Sequence, residues 1–365
     1  MPDGTRWMSG WQRLDTLIQA NELRIRTGYY HQEHIMQKRQ LGRGGPVVSA
    51  VGLGCWSFAG AYGPTDEAES HGTLAAALDL GIDFLDTANV YGAGVSERVI
   101  GGFIKDNPNA FMIATKGGIH RDRNTNKRGF DNSAQHLRQA LETSLTNLGV
   151  DHVALYYIHR REAERPIEEV METLVQFKQE GKIGGIGFSE ISPASLRRAH
   201  AVHPVAAVQS EYSLWSRMPD LGMIQACDDL GVAFVPFSPL ARGMFADQSP
   251  DPKDFTDGDF RKNNPRFLEP NFNYNSAAIQ QLRDLAAKTG TTTPALAIAW
   301  VLAQGQHLIP IPGTRTAVHL KQAAAGAALD LSQADLDEIA RLLPPGFAHG
   351  DRYSQAQLGG AERYC

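Results

Sequence analysis

The sequence predicts an α/β protein folded as a (β/α)8 TIM barrel. Eight short apolar runs recur along the chain, and stretches at helical spacing fill the gaps between them. Nearly every run is apolar throughout, as parallel strands buried on both faces are. The length, 365 residues, suits a single closed barrel. The competing fold is an open, doubly wound sheet. That fold would carry G-x-G-x-x-G after its first strand when it binds a dinucleotide. Here G-L-G-C-W-S lacks the third glycine, and no helix follows at once.

The elements follow in order. Residues 1–35 are polar, carry Trp7 and Trp11, and lack sustained periodicity. They are expected to be an N-terminal extension, with poor order as one reading of it. Strand one is V-V-S-A-V-G-L-G-C-W (47–56), and a helix spans 67–80. Strand two, I-D-F-L-D (82–86), leads through a loop with Asn89 and Tyr91 into a helix from Ser96. Strand three is F-M-I-A-T-K (111–116), followed by a charged, solvated loop at 120–128. A long helix over 133–148 stops at Gly149. Strand four, V-A-L-Y-Y-I-H, ends on His159, and a helix at 167–180 stops at Gly181. The last four strands are 184–190, 205–212, 232–240 and 307–313, and a helix covers about 316–326. Residues 36–345 thus form the barrel and 346–365 a C-terminal tail.

Composition excludes several classes. Net charge is −5, with both signs spread along the chain, which is no footprint for nucleic acid. No apolar run is long enough to span a membrane. Cys55, Cys227 and Cys365 stand far apart and read as buried or free thiols in a reducing compartment. With no apolar h-region near the start, a cytoplasmic location is expected. There is no metal-ligand spacing such as H-E-x-x-H and no nucleophilic Ser or Cys beside a base.

In a barrel the chemistry sits at the C-terminal ends of the strands. Those ends carry Asp86, Lys116 and His159, with Tyr91 on the loop after strand two. Each has a plain reading: a capping Asp, a salt-bridged Lys, a core His, a packing Tyr. Together they suit a proton donor to a carbonyl oxygen. An ammonium at Lys116 is expected to lower the Tyr91 pKa, and Asp86 to hold that ammonium in place. The reducing equivalent would come from an organic cofactor. I-P-G-T-R (311–315) at a helix start and S-P-L-A-R-G (238–243) offer glycine-bearing, basic turns for phosphate.

The chain resembles an aldo-keto reductase over about residues 36–345. G-I-D-F-L-D-T-A-N-V-Y-G…S-E, T-K-G, Y-I-H and I-P-G-T-R occur in family order. Q-S-E-Y-S-L-W-S-R (209–217) and G-D-R-Y (350–353) look most like the branch of pyridoxal and perakine reductases related to potassium-channel β subunits. The resemblance implies NADP(H) as cofactor and Tyr91 as general acid, tuned by Lys116 and Asp86, with His159 orienting the carbonyl. It implies that Ser189 and Gln209 hold the nicotinamide carboxamide and that Tyr212 stacks on the ring. Ser238, Leu240 and Arg242, in the turn closed by Gly243, would bind pyrophosphate, and Gly313, Thr314 and Arg315 the 2′-phosphate side. Glu190 stands at a cofactor position where many members have Asn. Gln322 and Ala323 stand where the family has an acidic residue or Gln followed by Asn, so a usual adenine contact is missing.

Two functions follow. One is NADPH-dependent reduction of a small-molecule aldehyde or ketone. The other is an NADP(H)-binding redox sensor or accessory subunit with little turnover, for which the extension and tail leave docking room. Trp56, Tyr62 and Trp215 are expected as substrate-pocket walls, with Phe58 and Arg121 as further candidates. The loop 241–274 is long enough to act as a lid over the cofactor, the alternative being an inert surface loop.

Overall fold

The computed structural model describes residues 36–121 and 128–364. The expected extension at 1–35 lies outside them. The barrel wall comprises β3 (Leu53–Gly54), β4 (Phe84–Asp86), β5 (Met112–Gly117), β8 (Val153–Ile158), β9 (Ile183–Ser189), β10 (Ala207–Glu211) and β11 (Ala233–Phe237). These seven strands form one parallel sheet in chain order.

Residues 307–313 close the ring without forming a regular strand. Ile309 N–H and Ile311 N–H donate to the carbonyls of Phe234 and Pro236 on one side. The carbonyls of Pro310 and Pro312 accept from Gly52 and Gly54 on the other. Proline has no N–H, so the second ladder is half made and only isolated bridges remain. The expected eighth strand is therefore present as a closing segment.

Two other expectations change. The first predicted strand is split. Val47–Ser49 (β2) turns back on Lys38–Gln40 (β1) as an antiparallel hairpin, and only Leu53–Gly54 joins the wall. Leu41 and Val48 from this hairpin region pack with the barrel interior. The expected loop at 120–128 is flanked by a second hairpin, Ile119–Arg121 (β6) against Arg128–Phe130 (β7).

Helices cover the outside for readable reasons. The helix Glu67–Asp79 starts on Asp66, whose side chain accepts from the Glu69 N–H at 2.7 Å. The helix Ala134–Leu148 is capped by Ser133, buries Leu137, Leu141, Leu145 and Leu148, and ends on a left-handed Gly149. Among the described residues, no helix is long and apolar enough to cross a membrane.

The interior of the barrel is a small, separate core. Phe84, Ala114, Leu155, Tyr157, Ala207, Ala233, Val235, Ile309 and Ile311 fill it. Large and small residues alternate so that the Tyr157 ring fits. Gly187, on the neighbouring strand, faces that ring: a Cβ there would lie 2.4 Å from Tyr157 Cδ1. Gly187→Ala is expected to destabilise the protein by about 1–3 kcal/mol through overpacking. Urea unfolding of the variant beside wild type measures this.

Candidate active site

Side chains alternate along a strand, so every second residue enters the barrel. Following the interior core upward, Phe84 leads to Asp86, Ala114 to Lys116, Tyr157 to His159, Ala207 to Gln209 and Val235 to Phe237. Parallel pairing sets Lys116 beside Tyr157 and Gln209 beside both Ser189 and Val235. One layer of functional groups therefore tops the apolar layers, at the C-terminal end of the wall.

Lys116 is fully buried. Its Nζ donates to Asp86 Oδ1, to the Thr87 carbonyl at 2.8 Å and to the Tyr91 hydroxyl at 3.4 Å. Asp86 Oδ2 accepts from Gln209 Nε2 at 2.7 Å. Burial pushes the Asp86 carboxyl up and the Lys116 ammonium down, while their direct contact opposes both shifts. The His159 ring stands edge-on to Tyr91, with centroids 5.8 Å apart.

The expected lowering of the Tyr91 pKa is reversed. Burial, and then the Asp86 carboxylate, push the phenol well above its ordinary value, against the pull of Arg160. Desolvation of the phenolate outweighs the ammonium in the resting site. Burial, and then Arg160, Lys116 and Arg128, hold His159 well below the usual imidazole value. Both directions favour the neutral forms, in which Tyr91 carries a phenolic proton and His159 a single N–H.

Tyr91 and His159 open onto a cavity of about 1320 Å³. Trp56, Tyr62, Arg121, Ser189, Gln209 and Phe237 line its barrel side. Ser238, Leu240, Arg242, Gly243, Gly313, Thr314, Arg315 and Gln322 line its extension past the last two strand ends. These residues fit an extended phosphorylated cofactor. Ser238, Ala241 and Arg242 all hold positive φ, between 50° and 56°, which curls the 238–243 backbone beside the cavity. Thr316 caps the helix Ala317–Ala324, whose first turn borders it. Arg315 reaches across to the carbonyls of Tyr62 and Pro64, at 3.3 and 2.8 Å. Asn89 Oδ1 and His159 Nδ1 are buried without a hydrogen-bond partner among the described residues.

Several expected site residues lie elsewhere, and others line the cavity with their polar groups already bonded to the protein. Tyr212 does not face the cavity: its hydroxyl donates to Asp220 at 2.7 Å and its ring packs on Phe234 and Trp300. Trp215 is buried against Phe245, Phe267 and the Arg266 guanidinium. Phe58 belongs to the outer core. Glu190 turns away from the cavity. Its Oε1 accepts from the Glu211 N–H at 2.9 Å and its Oε2 from Arg352. Arg242 lines the cavity, but its guanidinium donates to Glu211 Oε2 at 2.7 Å and to the Arg352 carbonyl at 2.8 Å. Gln209 spends its amide on Asp86, and Gln322 spends its own on Asp247 at 3.2 Å.

Other groups take part without having been singled out. Phe237 is the aromatic ring at the inward end of its strand, two residues beyond Val235; strand alternation from 233 would have found it. Arg160 follows His159 directly and donates to Ser189 Oγ at 2.9 Å. Phe260, from the 241–274 loop, packs edge-on to Trp56 with centroids 5.0 Å apart, and its N–H donates to the Ala61 carbonyl. Tyr353 and Gln357 bring the tail into the cavity wall. The tail is thus folded onto the barrel, with Glu362 accepting from Arg161 and from the Ser192 N–H.

Comparison with known proteins agrees with this geometry. The model of the aldo/keto reductase family matches residues 50–344. A probable aldo-keto reductase 1 of Glycine max is 39% identical over 325 residues, covering 87% of this chain and 92% of the relative. The NADP(+) aldo-keto reductase yakc of Schizosaccharomyces pombe is 36% identical over 315 residues, covering 85% and 93%. Among solved structures, a glycerol dehydrogenase of Gluconobacter oxydans superposes with a TM-score of 0.76 at 29% identity, covering 85% of this chain and 96% of that one. A holo-form aldo-keto reductase of Bacillus halodurans gives 0.71 at 26%, covering 88% and 99%. The chain belongs to the aldo/keto reductase family.

The Glu190–Arg352 contact generates a prediction. Burial pushes the Glu190 carboxyl up, but Arg352 beside it more than offsets this, and the net direction is down from 4.5. Its contribution is therefore present above that pH and is lost as pH falls through the lower folded value. Arg352→Ala leaves a buried carboxylate short of its partner and is expected to cost roughly 3–5 kcal/mol. Urea unfolding at pH 7 and pH 4 checks this, with the difference from wild type shrinking at the lower pH.

Proposed function

We propose that the chain is an NADP(H)-dependent carbonyl reductase that converts an aldehyde or ketone to the alcohol, with Tyr91 giving the proton. The observation that carries this reading is the Tyr91 hydroxyl, 3.4 Å from the Lys116 ammonium, beside a cavity that continues to Arg315. NADPH, when bound, supplies the hydride to the carbonyl carbon. His159, neutral, orients the carbonyl oxygen by hydrogen bonding. Tyr91 transfers its proton to that oxygen. Lys116 then matters most: the phenolate left behind faces an ammonium already held by Asp86 and Thr87. The pair is stronger after proton transfer than before it, which is how a group lowers a barrier.

The 238–243 turn and the helix start at Thr316 suit the phosphates, and Arg315 the 2′-phosphate that distinguishes NADP from NAD. Ser189 and Gln209, which line the cavity, would hold the nicotinamide amide, and Phe237, in place of Tyr212, would offer a flat face for the ring. The name of the fission-yeast relative supports the same cofactor. The branch of pyridoxal and perakine reductases and channel β subunits remains our placement within the family, and the cytoplasm our expected compartment. The loop 241–274, which reaches Trp56 through Phe260, serves as the lid.

Tyr91→Phe is expected to lower kcat with an aromatic aldehyde by about 10²–10⁴-fold, the usual contribution of a positioned acid. NADPH affinity, read by fluorescence titration, should stay within a few-fold of wild type. Wild-type kcat in this variant overturns the role given to Tyr91, whereas failure of the wild-type protein to turn over any aldehyde while binding NADPH tightly favours the sensor reading. Because Tyr91 is shifted up and His159 down, kcat/KM for reduction should be flat from about pH 6.5 to 9, between the ordinary His and Tyr values. A limb within that window assigns the proton to a different group.

A further inference from the structure

The cavity has a charge asymmetry that the carbonyl chemistry does not use. Its carboxylate-bearing edge, with Asp247, Asp251 and Asp254, lies on the 241–274 loop. Near His159 it is lined instead by Arg121, Arg128 and Arg160. Arg121 and Arg128 are directly opposite partners in the β6–β7 hairpin. Arg160 adds a third cation from the end of β8, buried, with Nη1 on the His159 carbonyl at 2.6 Å and on Ser189 Oγ at 2.9 Å. Among the described residues, Asp86 is the only carboxylate lining the catalytic end, and it is committed to Lys116 and Gln209.

Arg128 is exposed as a residue, but partial desolvation of its guanidinium at the cavity, then the charge of Arg160 and, against Tyr353, that of Arg121, lower it to about 10. It remains a cation at neutral pH and lines the cavity, where an anion can pair with it. The opposite wall is aromatic: Trp56 packs on Tyr62 and Phe260 with centroids 5.4 and 5.0 Å apart, and Phe260 on Tyr353 at 6.2 Å.

We infer that the preferred substrate is an aldehyde or ketone on a flat, apolar body that also carries a carboxylate, seated against Arg128 with Arg160 beneath it. The aromatic wall holds the body, Tyr91 and His159 take the carbonyl, and the guanidinium fork takes the carboxylate. Arg128 is thereby a specificity residue and lies outside the proton-transfer group. The inference rests on the carbonyl-reductase reading for its chemistry, and its test separates the two.

The three positional formylbenzoates and their methyl esters are compared as substrates with NADPH at pH 7. At least one acid is expected to exceed its ester by 10-fold or more in kcat/KM. In Arg128→Gln that advantage should vanish through KM, and Arg128→Lys should keep part of it. Equal kcat/KM for acids and esters in wild type, or an intact preference in Arg128→Gln, overturns the assignment. Calorimetry with compounds that cannot be reduced gives a second readout. With NADP⁺ present, 4-methylbenzoate should bind at least 10-fold more tightly than 4-methylbenzamide, and Arg128→Gln should abolish the difference. If no aldehyde is turned over, the carbonyl-reductase reading falls. The calorimetric comparison then still decides the anion site, and equal affinities sink it.

Discussion

A lysine ammonium with no exposed surface has to be answered by charge, and Lys116 is answered by Asp86 across one strand boundary. Most of the site follows from that requirement. Asp86 and Lys116 are alternate-position successors of Phe84 and Ala114, so the strand period that fills the barrel with apolar side chains also delivers the ion pair to its rim. Gln209 completes the carboxylate from a third strand, and Thr87 completes the ammonium. The Tyr91 loop then folds over the pair. A buried pair of this kind is a costly way to gain stability; under the proposed function it sets a cation in place before the phenolate forms.

A second buried charge group ties the tail and the 241–274 loop to the wall. Glu190 and Glu211, at the ends of neighbouring strands, are matched by Arg352 of the tail and by Arg242 and Arg266 of that loop. Arg242 and Arg352 also stack on Tyr353. Carboxylates at the strand ends thus make the tail and the 241–274 loop parts of one cavity rim. This explains why Glu190 and Arg242, expected to face the cofactor, point their charges at each other's neighbours. It also accounts for the tail: residues 346–364 are held against the barrel.

Much of this was legible in the residues. Apolar runs spaced by helical stretches require parallel strands, and eight of them require closure, so the barrel followed from pattern alone. The strand-end positions of Asp86, Lys116 and His159 followed too, because alternation and the polarity of barrels fix which end carries chemistry. What escaped was set by tertiary competition. Pro310 and Pro312 reduced a predicted strand to bridges. Tyr212 looked suited to stacking, yet it begins just past β10 and turns outward to Asp220, while Phe237 takes the inward position. The direction of the Tyr91 shift escaped because a sequence displays the neighbouring ammonium but not the depth of burial, and burial dominates.

The central claim is that Tyr91 rests as a neutral phenol although an ammonium stands beside it. It is tested most directly by ¹³Cζ-tyrosine NMR, with the Tyr91 resonance assigned from its absence in Tyr91→Phe. The account predicts that this resonance keeps its neutral-phenol shift past the ordinary tyrosine value of about 10. A Tyr91 signal that moves to the phenolate position below that pH would contradict it.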